Sequence, residues 1–279
     1  MAGQQQPQQE SQARQERTRV YFLSDLHLGS KTFADPIGNE RRVVRFLDSI
    51  KHDARAIYLL GDIIDYWFEY RTVVPRGFTR FFGKLAELTD SGVEVHWFTG
   101  NHDIWIFDYL PAELGIILHR EPLLTVINGQ RIFMAHGDGL GDDSMGYKLM
   151  NRFFRNRFCQ RLYAAVHPRW TVSFAHAWSR HSRLSGDDFP QFMGEEREHL
   201  VRFARAELAA KPDINYFIFG HRHIMLDLML TRTARILILG DWVSYFSYAV
   251  MEGEDIWLEQ FEEEEASPDD GRSGVSIAF

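Results

Sequence analysis

The sequence predicts an α/β fold: two mixed β-sheets packed together and interrupted by a helical insertion. Three observations carry this. Five apolar runs end in Asp, Asn or His, four of them directly beside a glycine. The first three of those runs alternate with amphipathic helical segments, a βαβαβ rhythm that gives a parallel sheet with helices on its faces. Residues 144–186 hold eight Lys or Arg and no Asp or Glu, interleaved with bulky apolar side chains.

Residues 20–24 form the first strand. Over 39–50, Val43, Phe46, Leu47 and Ile50 fall on one helical face, with Arg41, Arg42 and Arg45 elsewhere. Residues 56–60 give a second strand ending at Gly61. Residues 78–88 form a helix stopped by Ser91 and Gly92, and 93–99 a third strand ending at Gly100. The rhythm then changes. Residues 123–127 and 131–135 flank Asn128-Gly129, a hairpin signal. Residues 214–219, 225–231, 235–239 and 248–251 complete a second mixed sheet. Between the halves, 145–210 are largely helical in pattern and read as a cap inserted into one domain spanning 19–260. The ends, 1–18 and 261–279, read as solvated tails. From Glu259 onward there are seven acids and one Arg, so most of the formal net charge of −8 sits in the last stretch.

Composition narrows the function classes. A hydrophobic content of 45% supports a sizeable core. No apolar run approaches the roughly 20 residues of a membrane span. Residues 1–19 are Gln-rich without an apolar centre, unlike a secretory signal. The single Cys159 excludes an intrachain disulfide framework and suits a reducing compartment. The body is mildly acidic and its basic residues are broken up by apolar ones, which argues against a nucleic-acid track.

The strand ends carry the chemistry. Asp25 and His27 lie at i and i+2 just beyond a strand, where alternation points both the same way. Asp62, Asn101, His136, His221 and His223 follow later strands, and the carboxyl ends of strands are where open α/β sheets bind ligands. Singly, such an Asp is a helix cap or turn former, and such a His a hydrogen-bonded imidazole. Jointly, at five strand ends, they form a donor set for two metal ions, one carboxylate being shared. Oxygen and imidazole donors suit Mn²⁺, Fe²⁺, Zn²⁺ or Co²⁺ rather than Cu(I). Asp138 reads equally as a partner of His136 and as a turn residue. Arg222 points to the opposite face of an extended segment. Asp241 reads more as a turn or cap residue than as part of the site. His167, His176, His181 and His199 have no ligand spacing.

The order D-x-H, GD, GNHD, H-G, G-H-x-H over residues 25–223 resembles the calcineurin-like metallophosphoesterase superfamily. The resemblance implies an α/β/β/α sandwich. It also implies one metal on Asp25, His27, Asp62 and His223, and another on Asp62, Asn101, His136 and His221, bridged by Asp62. His102 would stand beside the leaving group, oriented by Asp103. The run His136-Gly137-Asp138-Gly139-Leu140, then Asp142-Asp143 and Tyr147, with the insertion directly after, resembles the UDP-2,3-diacylglucosamine diphosphatase family of lipid A synthesis. The best-known branch of that family has Arg where this chain has His102. This likeness implies Mn²⁺ as the metal and cleavage of an amphiphilic nucleotide-lipid to UMP and 2,3-diacylglucosamine 1-phosphate. It implies acyl chains under the cap, substrate contacts from Asp143, Tyr147, Arg155, Arg157 and Arg161, and peripheral attachment at the cytoplasmic face of the inner membrane. Competing readings are a phosphodiesterase or phosphatase of the same fold with another substrate, and a non-catalytic scaffold. The complete ligand set argues against the scaffold.

Overall fold

The computed structural model describes residues 17–31, 33–141, 145–168, 170 and 191–262. Strand β2 (Ala54–Leu60) is buried everywhere except Arg55, as expected of a strand covered on both faces. It pairs in parallel with β1 (Arg19–Leu23) and β3 (Glu94–Phe98), and β4 (Ile117–His119) adds beyond β3. Strands β10 (Ser247–Glu252) and β11 (Asp255–Gln260) extend the other edge antiparallel, giving the order β11-β10-β1-β2-β3-β4.

Helix α1 (Pro36–Ile50) begins where the Asp35 side chain accepts from Gly38 N at 2.9 Å, with Pro36 in the first turn. It buries Val43, Phe46, Leu47 and Ile50 on the outer face of this sheet, beside Phe81, Leu85 and Leu88 of α2 (Thr79–Asp90). A short α3 (Tyr109–Leu114) follows β3.

The second sheet has the order β5-β6-β7-β9-β8, from β5 (Leu123–Ile127), β6 (Gln130–Ala135), β7 (Tyr216–Phe219), β9 (Arg235–Leu239) and β8 (Met225–Met229). Asn128 (φ 50°) and Gly129 (φ 81°) are both left-handed, the geometry of a tight hairpin whose twist matches its strands. Strands β6, β7 and β9 are parallel. Outside them lies α6 (His199–Ala210), seated through Leu200, Val201, Ala204 and Leu208. Between the sheets, Phe22, Tyr58, Leu60 and Phe98 meet Met134, Ile218, Leu237 and Leu239. The layers therefore run α/β/β/α.

The sequence reading did not anticipate β4, β11 or α3, and it began α1 three residues late, at Asn39. In the insertion, α4 (Met145–Phe154) and α5 (Arg157–Ala164) are helical as expected, while residues 171–190 lie outside the described ones. Polar contacts dock the insertion on the core, among them Arg155 donating to the Arg120 carbonyl at 3.0 Å. Trp105 Nε1 donates to the Phe154 carbonyl at 2.9 Å, and the Tyr66 and Tyr163 hydroxyls lie 3.0 Å apart. Phe154 and Tyr163 turn inward onto Trp105, whereas Phe153, Phe158, Leu162 and Trp170 are exposed.

Candidate metal centre

β1 stops at Leu23, and the donor residues beyond the strands are wound rather than extended. Asp25 (φ 54°), His27 (44°), Asp62 (53°), His221 (69°) and His223 (50°) all occupy the left-handed region. Strand alternation is thus not what aligns Asp25 with His27. Instead the two loops run side by side: Asp25 N donates to Gly61 O (3.1 Å), His27 N to Asp62 O (3.0 Å) and Leu28 N to Ile63 O (2.9 Å). Non-glycine residues in this region are strained, and such strain persists where the surroundings dictate it. Gly61 is required at its own position. Its φ is 85°, and a Cβ there would lie 2.7 Å from the His136 ring.

The loops bring the donors together. His223 Nε2 lies 3.4 Å and His27 Nε2 3.7 Å from Asp25 Oδ1, with 3.3 Å between the two nitrogens. Asp62 Oδ2 lies 3.3 Å from His136 Nε2 and 4.0 Å from both His27 Nε2 and His102 Nε2. Asn101 Oδ1 is 3.3 Å from His136 Nε2. Around an ion with bonds of about 2.1 Å, neighbouring donor atoms stand roughly 3.0–3.4 Å apart. Asp25 Oδ1 is buried with no hydrogen-bond partner, while Oδ2 takes Ser24 Oγ at 2.6 Å and His221 N at 2.8 Å. A bare buried carboxylate oxygen is costly, and a cation satisfies it. The residues fit a pair of divalent ions.

The histidines are set for that task from behind. His136 Nδ1 lies 2.8 Å from Leu60 O and His102 Nδ1 2.9 Å from Asp65 O. A carbonyl only accepts, so Nδ1 carries the proton and Nε2 keeps its lone pair in the neutral ring. His27 Nδ1 faces Asp65 Oδ1 at 3.3 Å, and His223 Nδ1 faces Asp241 Oδ2 at 3.1 Å. Acceptors of this kind fix the tautomer and raise the basicity of the ligating nitrogen.

Charge follows the same geometry. Burial opposes ionisation of Asp62, yet His136, His102 and His27 hold its carboxyl well below the usual range. Burial also opposes the charge on His136, but Asp62, Asp25 and Asp138 raise its pKa well above the ordinary value. Burial pushes His102 down to about 4, and burial followed by the charge of His136 does the same to His221.

Of the anticipated residues, Asp25, His27, Asp62, Asn101, His136 and His223 converge, and the His221 ring stands edge-on to His136 with centroids 5.1 Å apart. Asp103 does not orient His102. Its carboxylate accepts from Gly100 N (2.7 Å), Ile63 N (3.0 Å) and Trp97 Nε1 (3.2 Å), which shapes the 61–63 and 97–100 loops, while Asp65 O holds the His102 ring. Arg222 turns away to a bidentate pair with buried Glu198 (2.8 and 3.2 Å). Arg155 and Arg152 line a cavity of about 410 Å³ that also holds His136, whereas Arg157 and Arg161 are exposed on α5. Asp143 and the Tyr147 side chain lie outside the described residues. The sequence reading missed Asp65. Asp241, expected more as a turn or cap residue than as part of the site, does both: it holds His223 and three backbone amides together. The spacing Gly61-Asp62-x-x-Asp65 was the available signal for the first.

Known proteins resemble this chain over most of its length. The family model of calcineurin-like phosphoesterases matches residues 18–225. A UDP-2,3-diacylglucosamine hydrolase of Porphyromonas gingivalis is 48% identical over 261 residues, covering 89% of this chain and 100% of the relative. One of Ralstonia nicotianae is 31% identical, covering 73% and 76%. Among solved structures, a dimetal phosphatase from Danio rerio aligns with a TM-score of 0.42 at 14% identity, over 87% of this chain and 95% of that one. With the donor set and the family match in agreement, this chain belongs to the calcineurin-like phosphoesterases and is a metal-dependent phosphoesterase with a site for two divalent ions.

Proposed function

We propose that this enzyme hydrolyses the pyrophosphate of UDP-2,3-diacylglucosamine, releasing UMP and 2,3-diacylglucosamine 1-phosphate. The observation that carries the substrate is the 48% identity spanning the whole length of a relative bearing that name. The convergent donors carry the chemistry. Asp25, His27, Asp62 and His223 would hold one ion and Asp62, Asn101, His136 and His221 the other, with Asp62 shared. Mn²⁺ is the proposed occupant. Bound there, the ions lower the pKa of water and draw charge from the phosphoryl oxygens. His102 Nε2, with Nδ1 held by Asp65 O, faces the Asp62 side of the cluster; in the protonated ring its Nε2–H would donate to the leaving oxygen. Asp65 and Asp241 keep His27 and His223 aimed inward.

The lipid half has a fitting place. A cavity of about 570 Å³ beside Gly29 is lined by Ile37, Tyr66, Val73, Val74, Phe78 and, from the insertion, Pro168. Each methylene buried there gains about 0.8 kcal/mol. Phe158 and Leu162, one turn apart and exposed on α5 beside Arg157 and Arg161, suit an anionic lipid surface, so the protein would work attached to the cytoplasmic face of the inner membrane. No helix among the described residues is long and apolar enough to cross a membrane.

The test is incubation of the purified chain with UDP-2,3-diacylglucosamine and Mn²⁺. UMP should appear, and Asp62→Asn should abolish its release. No UMP with Mn²⁺, Co²⁺, Zn²⁺ or Fe²⁺ would refute the proposal.

A further inference from the structure

The cavity of about 410 Å³ on the His136 side differs in character from the apolar one beside Gly29. Arg120, Glu121 and Arg155 give it polar walls, while Phe98 and Pro122 give it flat apolar ones. That mixture suits a base on a ribose and is poor for a hydrocarbon chain. Because His136 lines the same cavity, a nucleotide lying there keeps its phosphate beside the donor cluster.

His119, at the end of β4, also lines this cavity. Its Nε2 lies 2.9 Å from Nδ1 of buried His96. The rings are held in a row: Tyr58 stacks on His96 (4.2 Å, 9° between planes) and Phe98 on His119 (4.5 Å, 20°). A single proton lies between the two facing nitrogens. His96 Nε2 is buried without a hydrogen-bond partner and points toward Glu94 Oε2 at 3.7 Å. Were His96 Nδ1 the donor, its Nε2 lone pair would face that carboxylate. In the opposite arrangement an N–H faces it. The carboxylate therefore selects the state in which His119 Nε2–H donates to His96, which leaves Nδ1 as the acceptor of a ring that lines the cavity. Burial, and then His96, lower the His119 pKa to about 4, so the ring stays neutral near pH 7.

We propose that this cavity is the nucleobase subsite and that His119 Nδ1 accepts the N3–H of uracil. The proposal rests on the substrate reading above. It makes His119 a specificity-determining residue. Uracil carries a hydrogen at N3, whereas cytosine has a lone pair there, which His119 repels. His96 and Glu94 act through His119 and set its tautomer.

The Mn²⁺-loaded full chain is titrated by calorimetry with UMP, CMP and 3-methyl-UMP, and the same preparation is assayed for UMP release from UDP-2,3-diacylglucosamine. UMP should bind at least about tenfold tighter than CMP, the scale of one matched against one mismatched hydrogen bond. 3-Methyl-UMP, with N3–H blocked, should bind like CMP. His119→Phe, which keeps the stacked ring and removes the acceptor, should bring UMP and CMP within about twofold and raise KM with kcat little changed. Should that variant fail to fold, the three wild-type affinities decide. UMP release together with equal UMP and CMP binding overturns the subsite alone. Absence of UMP release overturns the substrate reading and this assignment with it.

Discussion

Asp241 Oδ2 sits 3.1 Å from His223 Nδ1, while Oδ1 of the same carboxylate gathers the backbone amides of Val243, Ser244 and Tyr245 at 2.7–3.2 Å. One side chain thus caps a turn and aims a proposed metal donor. Asp241→Asn separates the two tasks. Its amide oxygen can keep the three backbone donors, but its NH₂ then meets His223 Nδ1–H and drives the proton to Nε2, the donor atom. Metal affinity should fall about 10–100-fold, with melting little changed. Unaltered affinity in a metal titration would sink this role.

Metal uptake should depend on pH through His136. Its folded pKa is raised by Asp62, Asp25 and Asp138 despite burial, so the metal-free ring is protonated at neutral pH. An ion must displace that proton, and affinity should rise with pH across the neutral range. The linked stability has the opposite sense. The charged ring stabilises the metal-free fold fully below the ordinary histidine pKa of about 6.5, and that contribution is lost as pH climbs through the raised value. Titrations in buffers of differing ionisation enthalpy count the released protons. No proton release at pH 7 would contradict the assignment.

His102→Ala should lower kcat about 10²-fold or more while both ions stay bound, because the ring is proposed to face the leaving oxygen and is not proposed as a ligand. Elemental analysis alongside turnover separates the outcomes. Loss of metal together with activity would make His102 a ligand instead.

Glu198 is fully buried and holds Arg222 by two bonds, tying the loop between His221 and His223 to the start of α6. Glu198→Gln should destabilise the protein by about 2–3 kcal/mol. That is below the 3–5 kcal/mol of a fully buried pair because the Arg222 side chain keeps 20% exposure. A urea melt measures it, and a change under about 0.5 kcal/mol would refute the clamp.

The order of donors at strand ends was legible because each ends an apolar run, and the hairpin at Asn128 and Gly129 because few residues tolerate two left-handed positions. Strand β4 was not, since three residues inside a longer apolar stretch carry no periodicity of their own. The supporting layer was hidden for another reason. Asp65 and Asp241 act through ring nitrogens supplied by distant segments, and a lone Asp after a strand reads as a cap. Asp241 is a cap as well, so the cap reading of that position is correct and still misses half of what the side chain does.

The wound backbone at Asp25, His27, Asp62, His221 and His223 changes how mutagenesis of this pocket should be read. Alanine there would delete a donor and also place a methyl-bearing residue where asparagine, aspartate and glycine are the tolerant types. Inactivity in an alanine scan would then conflate lost coordination with a collapsed loop. Asparagine at the two aspartates, and glycine controls at the histidines, would tell coordination from conformation.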